Sequence, residues 1–138
     1  MKVLFDTNVI IDHIEKRAEY FNTSMQLFEI CEKGFIDGYI TAQSVSDITY
    51  ILRKKYTVPQ LQDILYGICL TLEITAITKW HVMSALSDKS LRDLEDGFIM
   101  KCAEDNMFDY IISRDKDGFS TSRIPVVTPL EFLSMVRT

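Results

Sequence analysis

Two hydrophobic rhythms alternate along the chain. Short blocks of consecutive apolar residues are followed by longer stretches in which apolar residues return every three or four positions. Lys2–Phe5 (KVLF) reads as a first strand. Asn8–Ile14 then reads as a short helix and Glu19–Lys33 as a longer one, stopped by Gly34. Gly38–Thr41 (GYIT) is a second strand, followed by a helix at Ser44–Lys55 with Val45, Ile48, Ile51 and Leu52 on one face. Val58–Leu72 is a further helix, with Pro59 suited to its first turn. Glu73–Ile77 reads as a third strand, Lys79–Leu86 and Leu94–Asn106 as helices, Tyr110–Ser113 and Pro125–Thr128 as the last strands, and Leu130–Val136 as the closing helix.

Strands alternating with helices imply crossover connections. The expected fold is α/β, a three-layer α/β/α sandwich around a central parallel sheet of about five strands, occupying residues 1–138 as one domain. In such sheets function gathers beyond the carboxyl ends of the strands. With 47% hydrophobic and 25% charged residues the chain has the composition of a globular protein, and no apolar run reaches the length of a membrane span. No secretory leader is visible at the N-terminus, so the expected location is the cytoplasm. Cys31, Cys69 and Cys102 are widely spaced among apolar residues and read as reduced core thiols. With His13 and His81 the only histidines, any metal would be held by oxygen ligands, which favours Mg²⁺ or Mn²⁺.

The formal net charge of −5 disfavours a nucleic-acid binder unless the acids cluster around cations. Their positions therefore matter more than their number. Asp6 ends the first strand and Asp115 lies just past the fourth. Asp47 lies in the first turns of the helix after the second strand, and Asp96 at the start of the helix leading into the fourth. Parallel topology brings all four toward one edge of the sheet. Each also has a local reading. Asp6 fits a cap for the helix near Asn8, Ser44 and Asp47 have capping-box spacing, Asp93 and Asp96 fit a helix start, and Asp115 or its neighbour Asp117 fits a turn. A helical wheel sets Asp96 beside Ala103 and Met107 on the apolar side, where an unpaired carboxylate is expensive. Clustered carboxylates repel, and one or two divalent ions would relieve them and act on phosphodiesters. Phosphate-binding glycine loops and the serine-hydrolase elbow are absent.

At LFDTNVIID, ITAQSVSDITYILRK, DLEDGFIMKCAE, DYIISRDKDGF and IPVVTPLEFL the chain resembles the PIN-domain family of nucleases over nearly its whole length. The resemblance implies a metal-dependent ribonuclease directed at single-stranded RNA. It implies Asp6, Asp96 and Asp115 as acidic metal-site residues, with Asp47 as the further catalytic acid at a position where the family usually has Glu. Thr7, Asn8 and Ser113 match polar positions beside the metal, and Ser44, Asp93 and Asp117 join them as expected positioning residues. Gly97 stands where a small alanine is usual. Many such proteins are VapC-type toxins, which implies a possible antitoxin partner and a homodimer.

Arg114 and Lys116, flanking Asp115, are the expected RNA phosphate contacts. Arg53, Lys54 and Lys55 equally suit a helix C-terminus. Trp80 reads as a core or oligomer-contact residue. A dehalogenase-type phosphatase would need Asp where Asn8 stands, and a receiver domain a Lys after the fifth strand. The remaining alternative is a PIN-like module that binds RNA or protein without cleaving.

Overall fold

The computed structural model describes residues 1–136; positions 137 and 138 of the expected domain lie outside the described residues. Five strands, β1 (Lys2–Phe5), β2 (Asp37–Thr41), β3 (Glu73–Thr75), β4 (Tyr110–Ile112) and β5 (Val126–Val127), form one parallel sheet in the order β3-β2-β1-β4-β5. The helices are α1 (Thr7–Ile14), α2 (Phe21–Glu32), α3 (Ala42–Leu52), α4 (Val58–Thr71), α5 (Lys79–Ser87), α6 (Leu94–Asp105) and α7 (Pro129–Val136). A short 3₁₀ turn, Asp117–Phe119, was not expected from the sequence.

Alternation along β1 builds the three layers. Val3 and Phe5 face a core shared with α1, α2, α3, α4 and α7. Leu4, between them, faces a second core with Ile99, Met100 and Ala103 of α6. Ile112 and Ile111 of β4 divide in the same way. Strands with both faces covered carry unbroken apolar runs, which is why KVLF and YII were readable. The strand order reverses at β1, whose neighbours are β2 on one side and β4 on the other. A crevice forms at such a reversal, beyond the carboxyl ends of the strands.

Element ends moved by one to three residues, each with a local cause. At the end of α2, Gly34 adopts φ +76°; its N–H donates to Cys31 and the Phe35 N–H to Ile30, the paired bonds of a Schellman stop. Helix α3 begins at Ala42 because the Thr41 hydroxyl accepts from the Ser44 N–H, making the last strand residue the helix cap. It ends at Leu52, before Arg53–Lys55. Two expectations fail. Met107 is 81% exposed, past the end of α6, so of the two residues expected beside Asp96, Ala103 is buried and Met107 is not. Trp80 is 68% exposed, so the core alternative falls and the oligomer-contact alternative is the one left. Cys31 and Cys102 are buried, Cys69 is partly buried, and all three are free thiols. Among the described residues no helix is long and apolar enough to cross a membrane.

Candidate active site

The ladder between β1 and β4 continues one bond past β1: the Asp6 N–H donates to the Ile112 carbonyl at 2.9 Å. This fixes Asp6 at the crevice, only 7% exposed. Its carboxylate is gripped at both oxygens. Oδ1 accepts from the Thr7 N–H at 2.8 Å, and Oδ2 from the Ser113 hydroxyl at 2.8 Å. Asp6 therefore does cap α1 and faces the crevice as well; the two readings are compatible.

Ser113, fully buried just beyond β4, joins several groups. Its Oγ lies 2.9 Å from the Asp115 carbonyl, accepts from the Asp115 N–H at 3.2 Å and is 3.4 Å from Asn8 Nδ2. Asn8 Oδ1 accepts from the Arg114 N–H at 3.3 Å. On the other side of Asp6, the hydroxyls of Thr7 and Thr41 both donate to Ser44 Oγ, at 2.9 and 3.0 Å. Thr7, Asn8, Ser44 and Ser113 thus form a polar floor tying β1, β4 and α3 together under the cleft.

Above that floor lies a cleft of about 600 Å³. Helix α3 supplies Gln43, Asp47 and Tyr50 to one wall, one stripe at helical spacing, and α6 supplies Glu95, Asp96 and Phe98 to the other. The capping reading of Asp47 falls here. Thr41, not Ser44, caps α3, and Asp47 lines the cleft without serving that cap. Asp93 caps α6, accepting from the Asp96 N–H at 2.9 Å through its own side chain, so Asp96 is the capped residue and its carboxylate is not spent on the helix end. Gly97, beside it, is closely packed: a Cβ there would come within 2.5 Å of Leu91 Cδ1, the end of a side chain that would have to turn aside. Gly118, in the 3₁₀ turn, lies hard against the Asp96 carboxylate. Asp115 is exposed, and its Oδ1 accepts from the Asp117 N–H at 3.1 Å, so Asp117 meets the site through its backbone.

The electrostatics bind these acids together. Burial raises Asp96 to about 7, and the charges of Asp6, Asp93, Asp115 and Glu95 add to the rise. Asp6 is raised chiefly by burial, against the lowering effect of its Ser113 and Thr7 hydrogen bonds, with Asp115 and Asp93 pushing it further up. Asp47 is not among the main causes of either rise. The carboxylates feel one another without converging: among the described residues, no three Asp, Glu, His or Cys side chains form a ready-made metal cage. That open arrangement of hard oxygen donors still fits Mg²⁺, which keeps several waters and uses one or two carboxylates. It also fits Mn²⁺, another ion suited to oxygen donors.

The two expected phosphate contacts are otherwise engaged. Arg114 Nε donates to Asp12 Oδ2 at 2.8 Å, and its guanidinium lies 4.8 Å from the Tyr20 ring centre. Lys116 pairs with Glu131 at 2.7 Å. Asp12, 2% exposed, also holds Arg17 at 2.9 Å. Sequence reasoning missed Asp12. Its spacing of four from Asn8, which puts both on one face of α1, was the available signal. Glu95, Tyr50 and Phe98 were missed as cleft residues as well.

A family model described as "PIN domain" matches residues 2–117, from β1 through the 3₁₀ turn. The chain belongs to the PIN-domain family. The matched span contains Asp6, Asp47, Asp96 and Asp115. Solved PIN-like structures share the fold. VapBC2 from Rickettsia felis, bound to a DNA fragment from its promoter, aligns over 92% of this chain and 97% of its own at TM-score 0.70 and 14% identity. FitAcB from Neisseria gonorrhoeae aligns over 93% and 98% at TM-score 0.65 and 18% identity. A toxin–antitoxin complex from Klebsiella pneumoniae aligns over 92% and 97% at TM-score 0.66 and 22% identity. A comparison with curated protein sequences finds no match.

Proposed function

We propose that this PIN domain is a metal-dependent endoribonuclease hydrolysing phosphodiester bonds in single-stranded RNA. The observation that carries this reading is the pairing of Asp6 and Asp96. Two carboxylates from distant parts of the chain line one cleft; burial raises both, Asp6 and other acids push Asp96 further up, and Asp115 and Asp93 do the same to Asp6. Acids perturbed by burial and charged neighbours in a cleft are candidate functional residues. Asp6, Asp96 and Asp115 would hold Mg²⁺ or Mn²⁺, with Asp47 facing them through water. When bound, such an ion supplies Lewis acidity and neutralises charge developing on phosphate oxygens.

The chain's own residues prepare that chemistry. Ser113 and the Thr7 N–H aim the Asp6 carboxylate, and Ser44 braces Thr7. Asp96, near 7, carries its proton through weakly acidic conditions and gives it up around neutrality. Asp93 and Asp117 shape the helix start and loop on which Asp96 and Asp115 sit. The likeness to a toxin–antitoxin complex supports the further proposal of a toxin restrained by an antitoxin; a homodimer and a cytoplasmic location belong to the proposal without support from that likeness.

A non-cleaving RNA- or protein-binding module is the second reading. It is favoured by the open spacing of the acids and by the aspartate at position 47. Incubating the protein with a single-stranded RNA pool in Mn²⁺ or Mg²⁺, with and without EDTA, separates the two. Cleavage that EDTA stops and Asp6→Asn abolishes supports the enzyme. RNA left intact by folded wild type in both metals favours the module.

A further inference from the structure

The acids explain how RNA could be cut and leave open how an acidic cleft holds it. Lys116 is paired with a carboxylate, and so is Arg114, the other expected cation. Arg53 has no carboxylate partner among the described residues, and it is exposed. Its guanidinium lies 3.7 Å from the centre of the Tyr50 ring, held over it by a bond to the Tyr50 carbonyl. Tyr50 lines the same cleft as Asp6, Asp47 and Asp96, yet it is 66% exposed. It follows Asp47 on α3 by three residues, an advance of about 4.5 Å along the helix. A large aromatic ring left in water beside a catalytic cleft, with a cation on one face, matches the parts of a nucleotide platform: a ring for the base and a charge for the phosphate.

Resting on the ribonuclease reading above, the geometry points to Tyr50 and Arg53 as a subsite for one unpaired nucleotide next to the cleavage point. The base stacks on the ring face that Arg53 leaves open, and Arg53 meets the adjoining phosphate. Stacking accepts any base, so this subsite selects unpaired chain over duplex without reading sequence. It also supplies positive charge on the wall where the metal-side carboxylates supply none.

The test is binding, kept apart from cleavage. In an Asp6→Asn background and in EDTA, a fluorescein-labelled single-stranded oligoribonucleotide is titrated by fluorescence anisotropy. Tyr50→Ala should weaken binding roughly tenfold, within the range for loss of one stacked base. Tyr50→Phe should keep it. An oligomer with bases removed should bind the Tyr50 protein more weakly while losing little further on Tyr50→Ala. Arg53→Gln should flatten the salt dependence by about 0.7 in the log–log slope, one phosphate contact on a single strand. In the Asp6 protein, Tyr50→Ala should raise KM for cleavage with kcat little changed. Equal affinity of the Tyr50→Ala and parent proteins, equal loss in Tyr50→Phe, or no RNA binding at all would overturn the subsite. So would a Tyr50→Ala protein that changes its sedimentation as an oligomer while binding RNA normally, since Tyr50 would then belong to a protein interface. Stacking effects that hold while wild-type protein leaves RNA intact in both Mn²⁺ and Mg²⁺ would overturn the nuclease reading and leave the subsite standing.

Discussion

Gly118 lies so close to Asp96 that a Cβ on it would overlap the Asp96 carboxylate oxygen. The 3₁₀ turn after β4 and the first turn of α6 therefore meet backbone against carboxylate. Nothing larger than hydrogen fits between them while Asp96 keeps its place.

Gly118→Ala follows from that contact. The added methyl meets the end of a short side chain, which can rotate away, so the fold should survive. Asp96 should not keep its aim. Cleavage should fall by about a hundredfold, the scale of a 1 Å misplacement near reacting groups, while the urea midpoint moves little. An alanine variant with wild-type activity would show that the position of Asp96 is not needed.

Asp47 gives a second separation of role from stability. Thr41 provides the cap of α3, so Asp47→Ala should not show the roughly 0.5–2 kcal/mol loss of a removed cap. Thermal melts of the two proteins should agree within about 0.5 kcal/mol, as for an ordinary surface change. Activity should drop in Asp47→Ala and be retained, or shift in its Mn²⁺/Mg²⁺ preference, in Asp47→Glu. Lost stability with cleavage intact would return Asp47 to a structural role.

The layers and most of the acids were legible because they depend on local pattern. Apolar blocks mark strands buried on both faces, and a carboxylate ending such a block lies at the catalytic edge of any parallel sheet. What stayed hidden depends on distant partners. Arg114 looks like a free cation beside Asp115 until Asp12, 102 residues earlier, is seen to hold it. Thr41 reads as strand by its surroundings, and only the bond from the Ser44 N–H makes it a cap. The approach of Gly118 to Asp96 has no counterpart in spacing or periodicity, because it joins a turn to a helix through space.

Asp12 carries the next expectation. It is 2% exposed and accepts from Arg17 at 2.9 Å and Arg114 at 2.8 Å, joining α1 to the loop that bears Asp115. Removing one partner of a buried pair costs about 3–5 kcal/mol. Both arginines reach water, so removing Asp12 strands no fully buried charge, and Asp12→Ala should cost less than that, about 1–3 kcal/mol. The urea midpoint should drop with an unchanged slope. A change below about 0.5 kcal/mol, the ordinary surface range, would show that the clamp contributes little.

Asp96 also sets a dependence on pH. Its proton is held to about 7 in the folded protein, against the ordinary aspartate value of 3.8. Below the lower value both states are protonated, and the contribution to stability is complete. Between the two values the unfolded chain has lost a proton that the folded chain keeps. Fewer protons bound in the unfolded state give a negative slope of unfolding free energy with pH. Metal-free protein in EDTA should therefore lose stability as pH rises from about 4 to about 7, and Asp6, also raised, acts in the same direction. Asp96→Asn has no proton to lose at that position, so its melting temperature should fall less across this window. Mn²⁺ should act oppositely. It binds the ionised carboxylates, so its stabilising effect should grow as pH rises toward neutrality. At a hundredfold excess over Kd that effect is about 2.7 kcal/mol. Melts of both proteins at several pH values, in EDTA and in Mn²⁺, measure all of this. Equal pH slopes and equal Mn²⁺ shifts in wild type and Asp96→Asn would remove Asp96 from the proposed metal site. The smaller slope and smaller shift expected of the variant would mean that one carboxylate both repels its neighbours in the empty cleft and holds the ion that relieves them.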